Sequence, residues 1–244
     1  MQRSFHEGHI PVGLLELTAR ESHHLCRVTR ARVGENVTIL NGEGLIASGK
    51  LIGNDRGCAR IMVQKTVQSN RPERGITLLQ ATLKGSNNEY IIREGTAIGA
   101  AKMVFFEAKN SECRLKGRVG DKLIRWRAIA IEGCKQSGNP FLPEISYAES
   151  IEGINLFPFG TKILCGLDGN AKPLALGIMG DTAGMTCVAI GPEGDFSTAE
   201  LEHLRRNGFV ECKLSKNILR SETAAIYALS VWDQLENISL RPIA

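Results

Sequence analysis

The chain has 244 residues, enough for one large domain or two unequal ones with real cores. Hydrophobic residues make up 43 % and charged residues 23 %, a globular balance, and no apolar run approaches the roughly 20 residues of a membrane span. The net charge of +4 permits a nucleic-acid partner without demanding one, and seven scattered cysteines with no C-x-x-C exclude a zinc ribbon or a thioredoxin-like motif. Reduced, mostly buried thiols and no metal are the expectation. The start "MQRSFHEGHI" has no apolar signal core, which makes the cytoplasm the default.

In chain order, Thr18 and Glu21 are spaced as a capping box, which predicts a short helix with Leu25 and Val28 facing inward. Arg20, Arg27, Arg30 and Arg32 crowd the same segment. "NVTILNGEGLIASGKLIG" reads as a hairpin turning at Asn41-Gly42, with Leu45 to Ile52 returning, and "CARIMVQKTV" as another strand. Short strands with one helix predict a small barrel over residues 1–70. "QSNRPERG", Gln68 to Gly75, is polar and breaker-rich, and reads as a linker.

From Ile76 the rhythm alternates. "ITLLQATL", "MVFFEA", "TKILCGLD", "MTCVAIG" and "ECKLS" read as strands. "NEYIIREGTAIGAA", "WRAIAIEGCKQ", "STAELEHLRRNG" and "SETAAIYALSVWDQLENI" read as helices. The second has Trp126, Ile129, Ala130, Gly133 and Cys134 on one face, and the third is opened by a Ser197–Glu200 capping box and closed by Gly208. Continuous apolar strands alternating with helices predict a parallel α/β sheet covered on both faces over residues 75–244.

Ligands of open parallel sheets collect at the carboxyl ends of strands. Three exits carry unusual turns: "CGLDGNAKP", "GPEGDF" and "SKNILRSE". The second has the outline of a phosphate loop but no Walker lysine and no G-x-G-x-x-G. Glycine- and proline-rich turns offer backbone groups at close range, which suits a flat neutral base such as adenine better than a triphosphate.

"AIGPEGDFSTAELE" followed by "LSKNILRSETAAIYAL" resembles the SPOUT methyltransferases, and within them the enzymes that methylate N3 of a uridine in small-subunit (16S) ribosomal RNA. The carrying motifs are Gly191-Pro192-Glu193-Gly194-Asp195-Phe196 and Ile218-Leu219-Arg220-Ser221-Glu222-Thr223-Ala224. "HHLCRVTRARVGENVTILNGEG" resembles the family's PUA-like RNA-binding barrel, with His24, Val28 and Arg30 matching a His-x-x-x-Val-x-Arg pattern. "IAIEGCKQSGNPFLPEI" resembles the stretch between the two domains. The resemblance implies a C-terminal trefoil knot, a homodimer, S-adenosylmethionine as cofactor and no metal. It implies cofactor contacts at Leu164, Cys165, Gly166, Ile190, Gly191, Pro192, Gly194, Phe196, Leu214, Ile218, Leu219, Arg220, Thr223 and Ala224. Arg220 would stabilise the uracil anion, Glu193 is a candidate base, and His24, Arg27 and Arg30 would meet RNA.

The sequence also departs from the family. Arg93-Glu94-Gly95-Thr96-Ala97-Ile98-Gly99 stands where Gln-Lys-x-Thr-Glu-Leu-Gly is usual, Asn139 replaces an arginine, and Asp195 replaces a glycine. These changes leave room for a SPOUT methyltransferase with another RNA target, or for a non-catalytic RNA-binding or assembly factor that kept the fold. The missing Walker lysine counts against nucleotide hydrolysis. Plainer readings stand beside the sharp ones. The Gly191–Gly194 turn could be a simple connection, Glu193 a helix-dipole partner, and Arg220 a salt-bridge partner of Glu222. The N-terminal arginines could be a solvated face. The stripe Ala225, Leu229 and Trp232 could be core or a dimer contact.

Overall fold

The computed structural model describes residues 2–239, apart from 56, 116, 158, 167–169 and 180–183. The chain divides into two compact units. The first comprises residues 1–71 and 131–142, and the second comprises 72–130 and 143–244.

The first unit is a five-stranded sheet. Its strands are β1 (Gln2–Phe5), β2 (Gly13–Glu16), β3 (Asn36–Leu40), β4 (Leu45–Asp55) and β5 (Cys58–Gln68), in the order β1-β3-β4-β5-β2. Only β1–β3 is parallel. The register of β4 against β5 shifts at two places, which bends so long a hairpin around Ile39, Leu51, Ile61 and Leu25. Helix α1 (Ala19–His23) continues directly into a π-helix, His24–Val28. The wider i→i+5 turn, seen in Thr29 N–H donating to His24 O at 2.9 Å, changes the helical phase. Leu25 is fully buried, whereas Val28, expected to face inward, is 59 % exposed.

The expected capping box at Thr18 is half made. The Thr18 hydroxyl accepts from Glu21 N–H at 3.3 Å. The Glu21 carboxylate does not return to Thr18; it accepts from Ser4 Oγ at 2.8 Å, Phe5 N–H at 3.0 Å and Lys135 Nζ at 3.0 Å. Burial pushes this carboxyl up. The Lys135 charge and hydrogen bond, with those from Phe5 and Ser4, outweigh burial and hold Glu21 below the usual range.

The second unit holds a seven-stranded, wholly parallel sheet. In chain order its elements are β6 (Ile76–Ala81), α2 (Asn87–Ile98), β7 (Lys102–Phe106), α3 (Val119–Ser137) and β8 (Glu144–Ala148). There follow β9 (Phe159–Cys165), β10 (Lys172–Pro173), α4 (Leu174–Met179), β11 (Met185–Ile190), α5 (Thr198–Arg206), β12 (Val210–Lys213) and α6 (Ser221–Ser239). The strand order is β10-β12-β9-β11-β6-β7-β8.

Side chains alternate between two cores. Leu79, Phe106, Leu164, Ala189, Phe196 and Leu204 form one. On the opposite face Phe105 packs on Trp126 of α3, with ring centroids 4.5 Å apart, and α6 lies over β6 and β11. Ala225, Leu229 and Trp232 are buried there within the unit, so this stripe is core, and the dimer reading of it falls. Three of the seven cysteines are buried and four are half-buried, fewer buried than expected; all are free thiols. No helix among the described residues is long and apolar enough to cross a membrane.

Candidate functional site

Sheet order puts the exits of β9, β11, β12 and β6 side by side. The chain reverses its direction of growth between β6 and β11, and a crevice opens at such a point. A cavity of about 670 Å³ lies there. Cys165 and Gly166 follow β9, Ile190 to Glu193 follow β11, and Leu214 to Ser221 follow β12. Lys84 and Asn87, from the β6 exit and the start of α2, also line it, as do Asp195, Lys213, Glu222 and Ala224.

Of the expected residues, Cys165, Gly166, Ile190, Gly191, Pro192, Glu193, Leu214, Ile218, Leu219, Arg220 and Ala224 line this cavity. Leu164, Gly194, Phe196 and Thr223 are not part of its wall. Leu164 and Phe196 are core residues, and Phe196 stacks on Phe106 at 6.2 Å. Gly194 faces Asn110, and Thr223 is exposed on α6. Residues 167–169 of the "CGLDGNAKP" exit lie outside the described residues.

The glycines are tight for a reason. A Cβ on Gly166 would run into the Glu211 carboxylate, and one on Gly191 would stand 3.2 Å from the Phe196 ring. The Pro192–Asp195 turn closes with Asp195 N–H donating to Pro192 O at 3.0 Å. Asp195 is left-handed at φ +57°. Aspartate tolerates that region better than most residues, and its Oδ1 accepts from Phe196 N–H at 2.7 Å. The aspartate at the glycine position therefore leaves the turn closed.

The β7 exit braces this turn, a role the sequence did not signal. Asn110 Nδ2 donates to the carbonyls of Gly194 and Asp195, both at 3.0 Å. Glu200 completes the Ser197 capping box and also accepts from Lys109 N–H at 2.8 Å. Glu107 fixes the far end of the loop, accepting from Leu115 N–H and Tyr147 Oη, each at 2.7 Å.

Arg220 is exposed and its guanidinium makes no ion pair among the described residues, so the Glu222 bridge is not formed. Its carbonyl accepts from Ala224 N–H at 2.8 Å, opening α6. Glu193 is exposed on the same wall. Lys84 bonds Glu112 at 2.8 Å; that bond and the Glu112 charge, with Glu193 adding, push its ammonium up. Desolvation, with Cys212 adding, pushes the Cys165 thiol up. No group of three or more His, Cys, Asp or Glu side chains among the described residues could hold a metal ion.

In the first unit Arg27 and Arg30 are exposed, with Arg30 left-handed at φ +55°. His24 is half-buried, its Nε2 3.7 Å from Glu132, and its Nδ1 has no partner among the described residues.

Residues 70–233 match the family described as RNA methyltransferase domain, and residues 17–61 match the RNA methyltransferase PUA domain. The chain is 31 % identical over 173 residues to the ribosomal RNA small subunit methyltransferase E of Mesomycoplasma hyopneumoniae, covering 69 % of this chain and 74 % of that one. It is 27 % identical over 224 residues to the Bacillus subtilis protein of the same description, covering 88 % and 87 %. A methyltransferase from Legionella pneumophila, solved in complex with S-adenosylmethionine, matches with a TM-score of 0.83 at 25 % identity, covering 96 % of this chain and 97 % of that one.

Proposed function

The chain belongs to the RNA methyltransferase family, with a PUA-like domain followed in sequence by a SPOUT α/β domain, and we propose that it methylates N3 of a specific uridine in 16S ribosomal RNA. One observation carries this reading. The Gly191 and Arg220 turns, separate in sequence, line a single cavity, and the Arg220 guanidinium makes no ion pair among the described residues.

The wall fits S-adenosylmethionine. Its volume is within the range of cofactor sites, and its turns present backbone groups at Gly166 and Gly191, where a Cβ would crowd the Glu211 carboxylate and the Phe196 ring. Cys165–Gly166, Ile190–Pro192, Leu214, Ile218–Leu219 and Ala224 would hold it. When bound, it supplies an electrophilic methyl carbon on a sulfonium.

N3 of uracil is a poor nucleophile while protonated. Its deprotonation places negative charge on O2 and O4. Arg220 would stabilise that charge, and its guanidinium has no ion pair among the described residues to give up in doing so. Glu193, on the same wall, is our candidate for the group that takes the N3 proton. His24, Arg27 and Arg30 are assigned to the RNA, and the active form to a homodimer. The test is 16S ribosomal RNA from a strain lacking the gene, digested and read by mass spectrometry. Loss of N3-methyluridine, restored by the wild-type chain, is expected. Full retention overturns the uracil assignment, and loss of another methylated nucleotide names a different target.

A further inference from the structure

We propose that Ser221 is a positioning residue: its single hydroxyl locks the Gly191 turn to the start of α6 and so sets both cofactor affinity and the placement of Arg220. The inference rests on the cofactor reading above. Ser221 is 7 % exposed, and its Oγ donates to Gly191 O at 2.5 Å. The same oxygen accepts from Gln80 Nε2 at 2.9 Å.

Gln80 is fully buried on β6, in register with Ile190. Its amide nitrogen has two protons, and the second goes to Ala81 O at 2.9 Å. Turning the amide over would set its oxygen against the Ala81 carbonyl, so the donor direction is fixed. With Gln80 donating to it, the Ser221 proton is directed at Gly191. The strand, the glycine turn and the first residue of α6 are thus tied in one relay. Asn110 grips the other end of the same turn, at Gly194 and Asp195. Arg220 has no ion pair of its own among the described residues, and its backbone is continuous with the anchored Ser221.

The test compares wild type, Ser221→Ala and Ser221→Thr in calorimetry with S-adenosylmethionine and in methyl transfer to small ribosomal subunits at saturating cofactor. Ser221→Ala is expected to weaken the cofactor and to lower saturated turnover, each about tenfold, as losing a buried hydrogen bond predicts. Ser221→Thr keeps the hydroxyl and is expected to restore both. Wild-type affinity and turnover in Ser221→Ala, whatever its melting temperature, overturns the proposal. Failure of threonine to restore them assigns the loss to packing and also overturns it. If Ser221→Ala does not fold, Gln80→Met removes the donor behind it, and wild-type affinity in that variant is equally fatal. Absence of cofactor binding by the wild type removes the cofactor reading itself. Binding by the wild type with no effect in the variants removes only the relay.

Discussion

Arg220 is the residue whose replacement separates chemistry from binding most cleanly. It is exposed and makes no ion pair among the described residues, so Arg220→Ala removes little that holds the fold. If Arg220 stabilises the uracil anion as proposed, the substitution costs roughly 10²–10³ in turnover, the loss for a single such donor. Methyl-transfer assays are expected to show that loss, while calorimetry shows cofactor affinity within about threefold of wild type. Wild-type turnover would take Arg220 out of the mechanism. Gly191 makes the opposite case. A Cβ there stands 3.2 Å from the Phe196 ring and 3.3 Å from Asp195 Oδ1, and valine adds two methyls beyond it. Gly191→Val is expected to weaken S-adenosylmethionine by more than about tenfold. Unchanged affinity would detach this turn from the cofactor. That both residues line the cavity was legible because their motifs are local. Asn110 and Gln80 were not, because each acts on a turn more than 80 positions away.

At the scale of elements, periodicity located the buried strands and the longer helices, missed the six-residue α4, and failed where a side chain has a distant partner. Ser197–Glu200 is a true capping box, whereas the Thr18–Glu21 spacing is the same and only half of the box is made. The difference is Lys135, on a helix that returns to the first unit from more than 100 residues downstream. No local pattern encodes that pair. The short edge strands β1 and β2 and the outer strand β8 escaped for a related reason: they read as polar or mixed segments and are strands only because a neighbour pairs with them. The Glu21–Lys135 pair is buried, so removing one partner strands a charge. Lys135→Ala is expected to cost about 3–5 kcal/mol in denaturant unfolding, and Glu21→Leu with Lys135→Met to recover much of it. The pH dependence has a definite sign. The Glu21 pKa is lower folded than unfolded, so its contribution is present above the unfolded value and is lost as pH falls through the folded one. Wild type is expected to lose stability on acidification below pH ~4.5, more steeply than the double variant. Equal slopes would remove Glu21 from acid unfolding.

For the whole molecule, the alternation of elements predicted a covered parallel sheet, and the sheet is wholly parallel. The order β12-β9-β11-β6 was not legible, since β9 and β11 are inserted between strands by topology rather than by any period, and that order brings the exits to one cavity. Charge distribution bears on the proposed RNA partner. A net charge of +4 is modest, yet Arg20, Arg27, Arg30 and Arg32 are all exposed within thirteen positions of the first unit. Each phosphate neutralised releases condensed counterions, contributing about 0.7–0.9 to the slope of log affinity against log salt. Arg27→Glu with Arg30→Glu is therefore expected to weaken RNA binding at low salt and to flatten that slope by about 1.5 or more. Cofactor affinity should stay at the wild-type value, because neither arginine belongs to the cavity wall in the second unit. A salt titration of RNA binding beside calorimetry with S-adenosylmethionine separates the two effects. An unaltered slope would return the arginines to a solvated face, and a loss of both affinities together would mean that the substitutions had damaged the fold.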